Sequence, residues 1–592
     1  LQHLDFPPAT ETFVQLLQHR ARQQPHAQLY SFLRDDGTKA ELSYAELFSR
    51  AQTIAFHLQF NFQHNSQKNS EDNSAIQTGA RVLLLLPPGL DLIAAFFGCL
   101  LAGMVAVPLP PPHPARLQVQ KERVLSVAQD AQPAIVLCDA ATKIALEPIA
   151  AEINLAAKAN LPWLACDEFF GENVSGNRLD FENSQWREPK ISGQTTAFLQ
   201  YTSGSTARPK GVLISHENLL HNCALIYRAF GHSAQSRGVI WLPPYHDMGL
   251  IGGVLQPLYG GFPVSLFPPA SFLMKPLRWL QTISDQKAST SGAPNFAYEL
   301  CARKITQAQK ETLDLSSWQV AFVGAEPVRS ETLNRFSRAF ESCGFKSEAF
   351  LPCYGLAEST LLVSGEKKNA RPQVVHKNNS EFVSCGLAAF DLAVKIVDAD
   401  RSTPVSDGEV GEIFVAGKSV AKGYWNREDE TREVFGAQVA QLENQEFLRT
   451  GDLGFFQDGE LFVCGREKDL ILIAGRNHFP EDIERTIEAS DEAIRACAAF
   501  GADVRVANVQ GEDNTVEEKL IIAAEVDRLS QLDETWKNAL MARLKIEVAS
   551  RHDLRIHEIL LHRVGGLPRT TSGKIQRARC RQEYFAPHNN NF

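Results

Sequence analysis

Residues Gln200–Gly211 read QYTSGSTARPKG, a dense set of groups suited to holding an anion. An apolar run ends at Tyr201, and Thr202, Ser203, Gly204, Ser205 and Thr206 follow, then Lys210 and Gly211. Hydroxyls and unhindered glycine amides supply donors in a flexible hairpin, and the lysine adds positive charge, so the composition suits a polyphosphate. A Ser/Gly-rich surface loop has the same composition, and this stretch alone does not separate the two readings. Downstream stand Gly324-Ala325-Glu326-Pro327, Tyr354-Gly355-Leu356-Ala357-Glu358-Ser359-Thr360 and Thr450-Gly451-Asp452-Leu453-Gly454. Gly465-Arg466-Glu467-Lys468-Asp469 and Pro568-Arg569-Thr570-Thr571-Ser572-Gly573-Lys574 complete the series. Taken singly, Asp452 reads as a turn aspartate and Glu358 as a helix cap. Only the ordered set points to a site.

Three other stretches imitate chemistry and fail on spacing. Gly411–Ser419 (GEIFVAGKS) resembles a nucleotide P-loop, but five residues stand between its glycines where the motif needs four, and Glu412–Ala416 reads as strand. His216–His221 (HENLLH) and His557–His562 (HEILLH) resemble a zinc-protease helix with the histidines five apart. On a helix that spacing separates the rings by about 140°, so they cannot converge on one metal. Both pairs are read as surface or capping histidines.

The elements that must position the candidate residues show in the apolar pattern. Val82–Leu86, Ala134–Cys138, Val239–Leu242, Val264–Phe267 and Gln319–Val323 are short β-rich runs between amphipathic stretches. They predict strands buried on both faces, with intervening helices, in parallel α/β layers. From about Leu392 the texture shifts to strands with short loops: Val394–Val397, Glu412–Val415, Leu461–Val463 and Leu470–Ile473. After Arg466 a separate helix–strand pattern begins, with Lys519–Val526 and Glu558–Val564 as strands, and about 120 residues suffice for a core of its own. The fold class expected is α/β. It comprises a large N-terminal region (1–465, with a sheet-rich subdomain about 388–465), a hinge at 466–469 and a small mobile α+β domain at 470–592. Asn61–Gly79 is polar and low in complexity and reads as a solvated loop, and Ala586–Phe592 as a frayed tail.

Composition narrows the class. The 592 residues are 44% apolar and 22% charged, ordinary globular usage, which excludes collagen, coiled coil and wholesale disorder. Fifty-nine basic against 69 acidic residues leave a net charge of −10, so no nucleic-acid partner is expected and any basic site must be local. The 11 cysteines are scattered, never closer than the ten positions between Cys343 and Cys353, which points to a reducing, cytoplasmic setting. Leu92–Val107 is uncharged for 16 residues, short of the roughly 20 needed to span a bilayer, and reads as a core helix running into a strand. Leu1–Pro8 has no signal-peptide pattern, and Leu1 in place of Met suggests a trimmed chain or a piece of a longer one.

In their order and spacing the motifs resemble the adenylate-forming superfamily of acyl- and aryl-CoA ligases, luciferases and peptide-synthetase adenylation domains, over almost the whole chain. The resemblance implies joining of a carboxylate to the α-phosphate of ATP with loss of pyrophosphate. Two anions must then meet, and fixed positive groups must cancel their repulsion. By resemblance, Thr202–Thr206 and Lys210 hold the β- and γ-phosphates, and Glu358 is the Mg2+ ligand. Gly324, Ala325 and Tyr354 sandwich and hydrogen-bond adenine, Glu326 and Gly355 belong to the same ATP/AMP-binding set, and Asp452 takes the ribose hydroxyls with Arg466 as a nearby donor. Lys574 bridges carboxylate and α-phosphate, His246 joins Lys210 and Lys574 as a catalytic candidate, and Lys468 is the hinge about which the C-terminal domain rotates between adenylation and transfer.

The stretches WLPPYHDMGLIGG (Trp241–Gly253), Ser291–Phe296, Leu351-Pro352-Cys353 and Gly475–Pro480 most resemble the fatty acyl-AMP ligases. These pass a fatty acid to the phosphopantetheine arm of a holo-acyl carrier protein. Trp241, Asp247, Met248, Gly249, Ile251 and Gly292 are then the acyl-pocket candidates. Small and apolar residues there suit an alkyl tunnel, where each buried methylene contributes roughly 0.8 kcal/mol. Only 27 residues separate Glu358 from Gly386, short for this subfamily and long for a plain CoA ligase. A fatty acyl-CoA ligase is therefore the alternative, and an inactive acyl-adenylate-binding protein a third reading of another class. Lys574 lies among Arg563, Arg569, Arg577, Arg579 and Arg581, six basic residues in 19 with no acid. That run reads as a solvated face, a nucleic-acid patch, or a surface that meets an acidic carrier protein.

Overall fold

The computed structural model describes residues 9–66, 78–170, 186–202, 209–377, 380–398, 401–440, 442, 445–473, 476–507, 514–570 and 573–585. The chain divides into two compact units: 1–375, 381–450 and 456–462 form one, and 376–380, 451–455 and 463–592 the other. The boundary thus passes along the strands Leu448–Gln457 and Glu460–Arg466.

The first unit holds two large sheets and most of a five-stranded one, in the order Thr403–Pro404, Ala393–Asp398, Gly411–Ala416, Leu448–Gln457 and Glu460–Arg466. In the nine-stranded sheet, Phe350–Gly355, Val320–Val323, Thr290–Ala293, Gly238–Ile240, Val264–Leu266 and Gln28–Leu33 are consecutive parallel neighbours. Antiparallel strands close its edges. In the six-stranded sheet, Trp163–Ala165, Ile135–Cys138, Arg81–Leu85, Val105–Leu109 and Thr196–Thr202 run parallel, and Lys210–Ser215 is an antiparallel edge. Each predicted apolar run is a strand here because helices cover both faces; Val82, Leu83, Leu84 and Leu85 are all 0% exposed. The run Leu92–Val107 is the buried helix Leu90–Leu101 followed by the strand Val105–Leu109. Among the described residues no helix is long and apolar enough to cross a membrane. Gly411–Ala416 is a buried strand, as its β-rich composition predicts, and not a phosphate loop.

Two expectations change. The helix Tyr44–Ser66 runs through Asn61–Ser66, six residues that the polar composition marked as loop. Nothing between Asn61 and Ser66 breaks a helix, and the Asn61 side-chain amide donates back to the His57 carbonyl at 2.9 Å; residues 67–77 and the tail 586–592 lie outside the described residues. His216 is no surface or capping group: it is 1% exposed, Ser215 caps the helix His216–Ala229, and the His216 ring accepts the Phe13 N–H at 3.3 Å. Burial lowers its pKa to about 4. His557 and His562 lie on the strand Ile556–Arg563, close to the expected Glu558–Val564, where positions five apart face opposite sides; His557 is exposed, as its surface reading has it, and His562 half-buried.

In the second unit, Asn514–Val526 pairs antiparallel with Ile494–Ala507 and parallel with Ile556–Arg563. Helices Pro480–Ser490 and Glu534–His552 bury Ile483, Ile487, Leu540, Leu544 and Val548 on one face of that sheet. Helix Arg577–Phe585 packs Cys580 on the other face, with Phe500, Ile521 and Ala523. All 11 cysteines are free thiols.

Candidate active site

Four adjacent parallel strands of the nine-stranded sheet end in a row on predicted residues. Tyr354 and Gly355 close Phe350–Gly355, Gly324-Ala325-Glu326 follow Val320–Val323, Gly292 lies in Thr290–Ala293, and Trp241 follows Gly238–Ile240. The crevice outside the carboxyl ends of parallel strands is where open α/β sheets bind ligands. Ala325 has φ +72°, a left-handed backbone that an alanine adopts only when its surroundings impose it. Asn295, 4% exposed, holds the residues that follow: its side-chain amide donates to Glu326 Oε1 and the Pro327 carbonyl, each at 3.0 Å, and its side-chain oxygen accepts the Arg329 N–H at 3.1 Å. The sequence marks Asn295 only as part of Ser291–Phe296, and its hold on Glu326, Pro327 and Arg329 depends on strand order.

Thr202 and Lys210 face each other across the hairpin of the six-stranded sheet. The predicted residues Ser203, Gly204, Ser205 and Thr206 lie outside the described residues. The Lys210 ammonium forms an ion pair with Glu430 and holds that carboxyl below the usual carboxylate range. Lys210 Nζ also lies 5.0 Å from the ring centre of Tyr424, whose hydroxyl donates to Glu358 Oε1 at 2.9 Å. Lys210 and Glu358, from different sheets, are brought together by a residue that no local pattern singles out.

The Trp241–Gly253 stretch packs tightly. Trp241 stacks on Phe272 with ring centres 3.9 Å apart. Met248–Leu255 forms a π-helix, a rare element common at functional sites, and Asp247 accepts the Met248 N–H at its start. His246, half-buried, closes a turn with its N–H on the Pro243 carbonyl at 3.1 Å and accepts the Leu250 N–H at its own carbonyl at 2.7 Å; Ile251 is buried. A Cβ on Gly249 would stand 2.0 Å from the Pro243 oxygen, and one on Gly292 would stand 2.2 Å from the Phe322 oxygen. Close backbone approach therefore accounts for both glycines. None of the predicted residues lines the cavity of about 300 Å³ between Phe32, Arg34, Arg50, Leu86 and Asp91.

In the second unit Asp452, 6% exposed, accepts from Arg466 Nε at 3.0 Å. Lys468 is central in the 3-10 turn Glu467–Asp469. Lys574 sits in a tight loop: its N–H donates to Thr570 Oγ1 at 3.1 Å, and its carbonyl accepts the Thr570 N–H at 2.7 Å.

The basic run around Lys574 is not a free cationic face. Arg577, 19% exposed at its side chain, holds Glu484 and Glu481 at 2.7 and 2.8 Å and Asp469 at 3.0 Å. Arg569 pairs with buried Glu525, Arg579 with Glu583 and Arg581 with Asp503. Within the stretch itself there is no acid, but the fold brings acids to it from elsewhere.

The model of the family described as AMP-binding enzyme matches residues 17–425. The medium-chain-fatty-acid acyl-carrier-protein ligase JamA of Moorena producens is 40% identical over 98% of this chain and 96% of its own length. The long-chain-fatty-acid AMP ligase FadD28 of Mycobacterium tuberculosis is 34% identical over 95% of this chain and 96% of its own. The crystal structure of a fatty acyl-adenylate ligase from L. pneumophila, in complex with acyl adenylate and pyrophosphate, is 37% identical. It superposes with a TM-score of 0.71 over 98% of this chain and 97% of its own. The chain belongs to the AMP-binding, adenylate-forming enzyme family and is similar to its fatty acyl-AMP ligases.

Proposed function

We propose that this protein is a fatty acyl-AMP ligase. It activates a medium- or long-chain fatty acid with ATP, releases pyrophosphate, and passes the acyl group to the phosphopantetheine thiol of a holo-acyl carrier protein. The row of strand ends carrying Tyr354, Gly324, Gly292 and Trp241 supports this reading most directly, in a chain alike end to end to a ligase named for medium-chain acids and a carrier protein. In the first step a carboxylate oxygen attacks the α-phosphorus, and the bond from that phosphorus to the pyrophosphate oxygen breaks.

The residues divide this work. Thr202–Thr206 and Lys210 take the β- and γ-phosphates; Gly324, Ala325, Glu326, Tyr354 and Gly355 take adenine; Asp452, oriented by Arg466, takes the ribose hydroxyls. Lys574 lies along the charge that develops as carboxylate and phosphate meet, where a fixed cation contributes most. His246 stands beside the acyl carboxyl, and Trp241, Asp247, Met248, Gly249, Ile251 and Gly292 border the chain. Glu358 is the residue to hold Mg2+, whose chemistry there is to shield phosphate charge. Among the described residues no three His, Cys, Asp or Glu side chains gather as a metal cage. A lone carboxylate fits an ion that keeps water and phosphate oxygens as its other ligands. For transfer, the thiol sulfur attacks the acyl carbon, the bond to the AMP oxygen breaks, and the segment beyond Lys468 turns to remove Lys574.

Incubation with ATP, Mg2+ and a ladder of fatty acids, offering either holo-carrier protein or coenzyme A, tests the assignment. Acyl-carrier protein is the expected product, read by mass. The second reading, a fatty acyl-CoA ligase, is favoured by the short span of 27 residues between Glu358 and Gly386; rapid acyl-CoA formation would establish it.

A further inference from the structure

We infer that Tyr424 is the positioning residue that couples the metal carboxylate Glu358 to the phosphate lysine Lys210. This deepens the proposed function and rests on the roles assigned there to those two residues. Glu358 follows a strand of the nine-stranded sheet, whereas Lys210 opens the edge strand of the six-stranded sheet. The segment Ala421–Trp425 is bonded to both. Its Ala421 N–H donates to the Glu358 carbonyl at 2.8 Å. Its Gly423 carbonyl accepts the Leu213 N–H at 2.9 Å, and its Trp425 N–H donates to the Gly211 carbonyl at 2.8 Å.

Tyr424 is fixed within this strap. It is 8% exposed, its N–H donates to Thr431 Oγ1 at 3.0 Å, and its ring meets Phe435 edge-on at 5.1 Å. The hydroxyl and the ring face do different work. The hydroxyl donates to Glu358 Oε1, which restrains the carboxylate's rotation while Oε2 would remain the oxygen for a cation. Such supporting hydrogen bonds change metal affinity by about 10- to 100-fold when removed. The ring face is 5.0 Å from the Lys210 ammonium and favours the charged group in that place, an attraction equivalent to roughly two- to fivefold in affinity. One side chain thus registers the negative and positive halves of a metal–triphosphate site.

Equilibrium binding of ATP by calorimetry, with Mg2+ and with EDTA, separates the two roles without requiring turnover. Tyr424→Phe should weaken Mg2+-ATP about tenfold and leave metal-free ATP unchanged, with an unaltered melting temperature reporting an intact fold. Tyr424→Leu should in addition weaken metal-free ATP two- to fivefold. In a Glu358→Gln background, Tyr424→Phe should have no further effect on Mg2+-ATP. Equal binding of Mg2+-ATP by wild type and Tyr424→Phe would overturn the coupling and leave the ligase reading standing. Equal weakening with and without metal would do the same. A wild-type protein that binds no ATP in either condition would overturn both.

Discussion

Replacing Arg577 by Met separates a structural arginine from a docking one. The guanidinium touches Glu484 through Nε and Nη2, both at 2.7 Å, and reaches Glu481 at 2.8 Å and Asp469 at 3.0 Å. The side chains of Glu484 and Glu481 are only 5% and 12% exposed, so their charges are poorly solvated without it. Breaking a buried pair from one side costs about 3–5 kcal/mol, because the remaining charge stays desolvated. Methionine fills the volume without the charge, so the variant should lose about 4 kcal/mol at pH 8. The sign with pH follows from linkage. Arg577 opposes the rise that burial imposes on the Glu481 carboxyl, so without the arginine that group moves still further above its ordinary value. The folded protein then takes up protons, and stability present at low pH is lost as pH rises. At pH 5 the deficit should shrink to about 2 kcal/mol. Urea unfolding of the full chain at both pH values, followed by hydrogen exchange in strand Ile494–Ala507, reads the unit that contains Arg577. A deficit below about 1 kcal/mol at both, with a salt-sensitive defect in acyl transfer instead, would refute the structural role.

Lys574→Ala should slow adenylation at least a hundredfold, about 3–4 kcal/mol of charge stabilisation, measured as fatty-acid-dependent pyrophosphate release; a near-normal rate removes Lys574 from the mechanism. Burial, reinforced by Glu484 and opposed by Arg577, raises the Glu481 pKa to about 7 from 4.5. Its stabilising contribution is therefore complete below about pH 4.5 and declines as pH rises to about 7. Glu481→Gln should flatten that decline, gaining at most about 3 kcal/mol over wild type at pH 8 in the same unfolding assay. Gly292→Ala should destabilise by about 1–3 kcal/mol, since its Cβ would meet the Phe322 backbone oxygen. An unchanged melting temperature would show that the strands part freely there.

The order of the motifs, the class of fold and most strands were legible in the chain itself. Apolar period and run length report how many faces of an element are buried, and that information is local. The ordered series from Gln200 to Lys574 was enough to identify the family and to name Lys210, Glu358 and Asp452 as candidates. Other features were decided only in three dimensions. Tyr424 meets Glu358 across 66 positions of sequence, and Arg577 meets Glu484 and Asp469 across 93 and 108. A run of arginines with no acid among them looks cationic until folding delivers acids from distant helices and turns. Gly249 and Gly292 are acyl-pocket candidates by motif, and the need for glycine there shows only when neighbouring carbonyls stand where their side chains would be. Composition tells what a residue can bond or exclude; sheet order and helix packing, set by burial of the whole core, choose its partner.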